Sequence, residues 1–214
     1  HTRYMMVTGG PTCARPTSSF TTSTSNADII LSNASNALAG AITLSTNGVT
    51  GDATLVNAAP GGTALAASTI GGALTVTASA GNITETGALT VGGTSIFTAT
   101  GAANQTITLT NASNALTGAI TLATGQAGNT AADATIVNNA AGGTALAASA
   151  VRGNLSVTSS QGNITETGAL TTTGTGTSAF TTSASGADIV LTNAGNSFAS
   201  PVTINSPGSG VLLT

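Results

Sequence analysis

The chain has 214 residues, of which only 4% are charged and 2% aromatic, and its formal net charge is -3 at pH 7. Its only cations are Arg3, Arg15 and Arg152, which are too few to neutralise a run of nucleic-acid phosphates or to dock on anionic lipid. No apolar run reaches the roughly 18 residues of a membrane span. We therefore expect a folded chain with no nucleic-acid partner and no membrane insertion.

The first 16 residues differ in composition from the rest. They contain the lone histidine, His1, and the lone cysteine, Cys13. We expect residues 1–16 to be a tag, a cloning remnant or a non-repeating cap, and residues 17–214 to form a single repetitive unit. Because His and Cys are confined to this segment, the sequence predicts no metal site, no cofactor and no Ser-His-Asp triad.

Imperfect copies of one repeat follow. The decapeptide GNITETGALT stands at residues 81–90 and again at 162–171, an offset of 81 residues. Length changes fall in Gly-, Asn- and Thr-rich stretches, which we expect to be loops. Each copy begins at a phenylalanine, and the copies span about 20–96, 97–179 and, as a partial third copy, 180–214.

Short stretches in each copy alternate apolar and small polar residues, as in Leu74-Thr75-Val76-Thr77. This period of two indicates strands with one buried face. Similar strands restart near Leu74, Ile96 and Ala119, a spacing of about 22 to 24 residues that is typical of one solenoid coil. We therefore predict an all-β parallel β-helix with three or four coils per repeat.

Tandem β-sandwiches are the alternative architecture, since a unit of about 80 residues is close to an immunoglobulin-like domain in length. Against it, the chain has no Trp and no Cys pair to pin a sandwich core, and hairpin turn signatures are sparse. A sandwich also gives no reason for the shorter internal period, so we favour the solenoid.

The decapeptide, together with Thr94-Ser95-Ile96-Phe97-Thr98 and the run from Asn114 to Leu122, resembles the repeat region of filamentous-haemagglutinin-like large exoproteins of Gram-negative bacteria. The resemblance covers about residues 17–214. It implies a right-handed parallel β-helix, export by a two-partner or autotransporter route, and a secreted or cell-surface location. It further implies the stalk or binding shaft of an adhesin or biofilm protein, with host or neighbouring-cell surfaces and their glycans as partners. Open coil ends also predict end-to-end self-association.

Carboxylates are the residues most suggestive of catalysis, because glycosidases use two acids about 5 to 9.5 Å apart. The candidates form two equivalent pairs, Asp52 with Glu85 and Asp133 with Glu166. Three or four coils would separate Glu85 from Glu166 by roughly 14 to 19 Å, too far for a partnership. Since both pairs recur, we favour a turn-stabilising role and keep a β-helical polysaccharide hydrolase or lyase as an alternative.

Outward threonines form the candidate binding surface. In a parallel stack, such residues give flat Thr arrays similar to the faces of ice-binding solenoids, which makes an ice-binding protein a further alternative. The simpler interpretation is that Thr is a common polar strand residue. The candidate rows consist of Thr75, Thr77, Thr106, Thr108 and Thr110.

Overall fold

The computed structural model describes residues 16–208 and 210–213, which form one β-solenoid of about 8 turns. The strands pair in parallel along both sheets, which fits the right-handed parallel β-helix predicted from the sequence. The alternative, a set of tandem β-sandwiches, is not the fold of this chain. These ranges contain no helix, and therefore no helix that is long and apolar enough to cross a membrane. The interpretation of residues 1–16 as a tag, remnant or cap falls, apart from Pro16, outside the described residues.

The described residues form 23 short strands. In chain order they are β1 (Ser18–Thr21), β2 (Ile29–Leu31), β3 (Ala41–Ser45), β4 (Ala53–Asn57), β5 (Thr63–Leu65), β6 (Ser68–Ile70), β7 (Leu74–Ala78), β8 (Ile83–Glu85), β9 (Leu89–Val91), β10 (Ser95–Ala99), β11 (Ile107–Leu109), β12 (Ala115–Leu116), β13 (Ile120–Thr124), β14 (Ala134–Asn138), β15 (Thr144–Leu146), β16 (Ser149–Val151), β17 (Leu155–Ser159), β18 (Ile164–Glu166), β19 (Leu170–Thr172), β20 (Ser178–Thr182), β21 (Ile189–Leu191), β22 (Val202–Asn205) and β23 (Val211–Leu213).

Two sheets face each other across the core. Sheet A has 12 strands, in the order β12-β9-β6-β3-β5-β8-β11-β14-β17-β20-β22, with β1 paired to β3. Sheet B has 11 strands, in the order β2-β4-β7-β10-β13-β15-β18-β21-β23, with β16 and β19 paired beside this path. Residues in register are between 20 apart, as for Thr63 and Ile83, and 27 apart, as for Ile107 and Ala134.

A typical coil crosses each sheet once, and its two crossings differ in shape. One is a straight strand of five residues, such as β7, and the other is a bent pair of short strands, such as β8 and β9. From β4 to β13 the straight strands lie in sheet B, whereas β14, β17, β20 and β22 place them in sheet A. The exchange occurs at loops 46–52 and 125–133, where two straight strands follow each other directly.

This exchange gives one repeat three and a half coils, a value between the three and four predicted. After Thr54 in sheet B, the chain returns to the same sheet at β7, β10 and β13, which makes three coils. Half a coil later it reaches Thr135, the residue equivalent to Thr54, which lies in sheet A. The three phenylalanines that begin the copies alternate in the same way, since Phe20 lies in sheet A, Phe97 in sheet B and Phe180 in sheet A. Successive repeats therefore face opposite sides of the solenoid.

The core is a narrow stack of aliphatic side chains. In-register contacts place like residues on like, as for Leu55, Val76 and Phe97, all of which are completely buried. Phe180 is also fully buried and meets Phe198 edge to face, with ring centroids 5.9 Å apart. Burial of these side chains in parallel register supplies the main driving force for stacking the coils.

Candidate functional site

Aspartates occupy the corners that precede strands. Asp52 stands directly before β4, and its Oδ1 accepts the backbone N–H of Ala73 in the next coil at 2.7 Å. Asp133 stands before β14 and accepts the N–H of Asn154 at the same distance. Each carboxylate therefore ties a corner to the coil that follows it. Asp28 and Asp188 do the same for the N–H groups of Asp52 and Gly210.

Asparagines fill the same corner position in other coils. Asn82 precedes β8, and its Oδ1 accepts the N–H of Thr106 at 2.9 Å. Asn163 precedes β18 and accepts the N–H of Asp188 at 2.8 Å. A neutral amide oxygen thus performs the same backbone contact as a carboxylate, so this contact does not require charge.

Glu85 is held differently from the corner aspartates. It lies at the end of β8 in register with Leu65, a completely buried residue. Its Oε1 accepts the backbone N–H of Asn111 and, at 3.1 Å, the Nδ2 group of Asn114. Its Oε2 is buried without a hydrogen-bond partner. Burial raises the pKa of Glu85, while the hydrogen bonds from Asn111 and Asn114 oppose that rise.

Glu166 repeats this arrangement on the other side of the molecule. It lies in β18, in register with Leu146, and its Oε1 accepts Nδ2 of Asn196 at 3.1 Å. Its Oε2 is likewise buried and unpartnered. Three and a half coils correspond to an axial separation from Glu85 of about 17 Å. The two glutamates also lie in opposite sheets, which the sequence did not predict.

The predicted acid pairs are not brought together by hydrogen bonds. Asp52 leads into sheet B while Glu85 belongs to sheet A, and for Asp133 and Glu166 the two sheets are reversed. In the described part of the chain, the hydrogen bonds of all four carboxylates go to donors of a neighbouring coil. The acids therefore act as coil-to-coil connectors in this geometry.

The five predicted threonines belong to two different faces. Thr75 and Thr77 point outward from β7 in sheet B, while Thr108 points outward from β11 in sheet A, flanked by Thr106 and Thr110. The column through Thr75 contains Ile30, Thr54, Thr75, Ile96 and Thr121. The column through Thr108 contains Ala64, Thr84, Thr108, Thr135, Ser156, Ala179 and Thr203. Both are interrupted by apolar residues.

Two buried asparagines were not singled out by the sequence analysis. Asn57 and Asn138 are completely buried at the ends of straight strands. The Oδ1 of Asn57 accepts the N–H of Leu38 at 2.8 Å, and its Nδ2 donates to the Leu38 carbonyl at 3.1 Å. Their identical position in ATLVN and ATIVN, 81 residues apart, was the available signal.

Metal ligands do not gather in the part of the chain that the structure describes, since no group of three or more His, Cys, Asp or Glu side chains there could hold an ion.

The stacked parallel strands and the sequence repeats place this chain in the class of parallel β-solenoid repeat proteins. Residues 10–45, 49–123 and 131–205 match the family described as repeats of unknown function (DUF5649), and the chain belongs to this family. Searches of curated proteins and of solved structures give no significant match. The breaks between the matched segments, at 46–48 and 124–130, fall at the two loops where the straight strands change sheet.

Proposed function

We propose that this chain is part of the shaft of a secreted, filamentous-haemagglutinin-like bacterial surface adhesin. The observation that carries the proposal is the uninterrupted parallel stack, in which both sheets continue through all described coils. A shaft must gain length in proportion to its sequence, and such a stack adds about 4.8 Å per coil. About 8 turns therefore extend the chain by roughly 40 Å.

The outward faces suit weak contacts repeated along the length. Their side chains are mainly Thr, Ser, Ala and Val, and charges are rare on a chain with 4% charged residues. Hydroxyl groups on a rigid sheet suit hydroxyl-rich partners such as the glycans of host or neighbouring cells. Because Thr54 and Thr135 lie on opposite sheets, equivalent surfaces of successive repeats point to opposite sides and can engage two partners at once.

The positions of the acids and of the threonines favour an adhesin shaft over the two alternatives, a glycan-cleaving enzyme and an ice-binding protein. A glycan hydrolase or lyase needs two acids converging on one bond, whereas Asp52 and Glu85 lie in different sheets. An ice-binding face needs a regular Thr array, whereas Ile96 interrupts one column and Ala179 another.

Adhesion of beads coated with the folded chain tests the proposal. Binding to epithelial cells, to cells of the producing bacterium and to an immobilised glycan panel would be measured beside beads carrying heat-unfolded chain. We expect the folded chain to bind at least one of these surfaces, with binding that rises steeply with coating density because individual contacts are weak. Binding no stronger than that of the unfolded control on every surface would contradict the proposal, as would cleavage of the glycans or thermal hysteresis.

Light scattering on the free chain tests the expected end-to-end association, which should appear as particles growing with concentration. A strictly monomeric chain would refute that part of the proposal.

A further inference from the structure

Six asparagines begin the triplet Asn-x-Ser/Thr, the acceptor motif of N-linked glycosylation. In a chain rich in Asn, Ser and Thr the triplet alone carries little weight, so its structural setting has to decide. The six are Asn33, Asn82, Asn104, Asn111, Asn154 and Asn163.

These asparagines differ from most of the others in the hydrogen bonding of the side-chain nitrogen, Nδ2. Within the described residues, each of the six uses Oδ1 as an acceptor for a backbone N–H, and none donates a hydrogen bond through Nδ2. Six asparagines outside the triplets donate through Nδ2 and hold neighbouring coils together: Asn36, Asn47, Asn57, Asn114, Asn138 and Asn196. The nitrogen that glycosylation modifies is therefore free at all six triplets.

Three of the six have the same extended geometry. Asn82, Asn154 and Asn163 are exposed, and each stands directly before a strand. The middle residue of each triplet points into the core and is buried. Because side chains alternate along a strand, the asparagine and the hydroxyl residue two positions later lie together on the outer face. Those hydroxyl residues, Thr84, Ser156 and Thr165, are partly exposed.

We propose that Asn82, Asn154 and Asn163 are acceptors for N-linked glycosylation by a separate glycosyltransferase, with a sugar activated as a diphosphate ester as the donor. In this step the Nδ2 atom attacks the anomeric carbon of the sugar, and a C–N bond forms. The bond from that carbon to the diphosphate oxygen breaks, and the diphosphate leaves with the electron pair. The proton lost by Nδ2 passes to a base of the transferase. No oxidant or reductant takes part.

The modification is compatible with the fold. The product amide keeps its Oδ1, so Asn82 can still accept the N–H of Thr106 and close its corner. Asn82 precedes a strand of sheet A, and its equivalent Asn163 precedes a strand of sheet B. Sugars at these positions would therefore cover both sides of the solenoid. The inference does not depend on the proposed adhesive function.

Peptide mass spectrometry of the protein purified from the cells that make it tests the proposal. We expect peptides containing Asn82, Asn154 and Asn163 to carry sugar on the asparagine, whereas Asn57 and Asn138 remain unmodified. The variant Thr84→Ala should lose sugar at Asn82 alone, and Thr84→Ser should keep it. Asn82→Asp should also lose it while keeping the fold, because Asp52 and Asp133 serve as corner acceptors.

An unmodified Asn82, Asn154 and Asn163 in the native protein would overturn the proposal. Sugar found only on Thr or Ser hydroxyls would do so too, as would modification of Asn82 that persists in Thr84→Ala. Circular dichroism of each variant shows that it folds, so a loss of sugar can be assigned to the acceptor motif.

Discussion

Asn138 shows how single polar residues connect the coils. It is completely buried, its Oδ1 accepts the N–H of Leu116 at 2.9 Å, and its Nδ2 is shared among the carbonyls of Leu116 and Gly143 and the hydroxyl of Thr144. Such a side chain replaces backbone contacts that parallel strands cannot supply at a corner. Removing it leaves several buried groups without partners, which is costly in a dry interior.

We predict that Asn138→Ala lowers the free energy of unfolding by about 3 kcal/mol, because the N–H of Leu116 loses its acceptor in the core. Urea denaturation followed by circular dichroism measures the change. Asn139→Ala is the matched control, since the Asn139 side chain makes no hydrogen bond within the described residues. Equal losses for the two variants would show that the buried amide has no special role.

Glu85 gives the stability a pH dependence of definite sign. Burial raises its pKa above the ordinary value of 4.5, so the folded chain binds this proton more tightly than the unfolded chain does. This contribution to stability is fully present below about pH 4.5 and is lost as the pH rises through the folded-state pKa. We predict that the melting temperature of the wild type falls relative to that of Glu85→Gln between about pH 4 and about pH 8. Melting curves that stay parallel over this range would contradict the assignment.

Corners and strands were predictable from sequence to different degrees. The alternation at Leu74 and Val76 predicts a strand, and β7 spans Leu74–Ala78 with these two residues buried. By contrast, Glu85 lies in the polar run Asn82-Ile83-Thr84-Glu85-Thr86, where the sequence favours a turn-stabilising role, yet it occupies an inward position over Leu65. The alternation of apolar and polar residues shows which face of a strand is buried, but it does not show which residue of the next coil lies opposite. That choice depends on the register of the whole stack.

The glycines at positions 62 and 143 fix equivalent bends. Gly62 has a φ of +88°, and a Cβ there would lie 2.5 Å from the carbonyl oxygen of Asn82. Gly61, beside it, has open space around the same position. We predict that Gly62→Ala costs about 1 to 3 kcal/mol of stability, through backbone strain and the clash. Gly61→Ala should change stability by about 0.5 kcal/mol or less. Thermal denaturation of the two variants compares them directly, and a Gly61→Ala loss as large as that of Gly62→Ala would be inconsistent with this bend.

At the scale of the whole molecule, the two exchange loops determine which side each repeat presents. Their positions as insertion-tolerant loops were predictable from the differing lengths of 46–51 and 124–131. The change of sheet at these loops was not predictable, because the sequence shows three similar copies but does not show how many coils each copy forms. Only the pairing of β13 with β15 and β16, and of β14 with β11, reveals that the straight strands have changed sheet. For the same reason, the sequence alone did not show that Asp52 and Glu85 belong to different sheets.

The half-coil offset is tested most directly by a distance between spin labels on equivalent residues of successive repeats. The labels would be placed by Thr54→Cys and Thr135→Cys in a Cys13→Ser background and measured by double electron–electron resonance. The pair Thr54→Cys and Thr121→Cys is the control, because these residues share one column of sheet B, three coils or about 14 Å apart. For Thr54 and Thr135 on opposite faces we predict a distance of about 25 Å or more, since the width of the core adds to the axial rise. A distance near 14 to 19 Å would place both labels on one face and contradict the three-and-a-half-coil repeat.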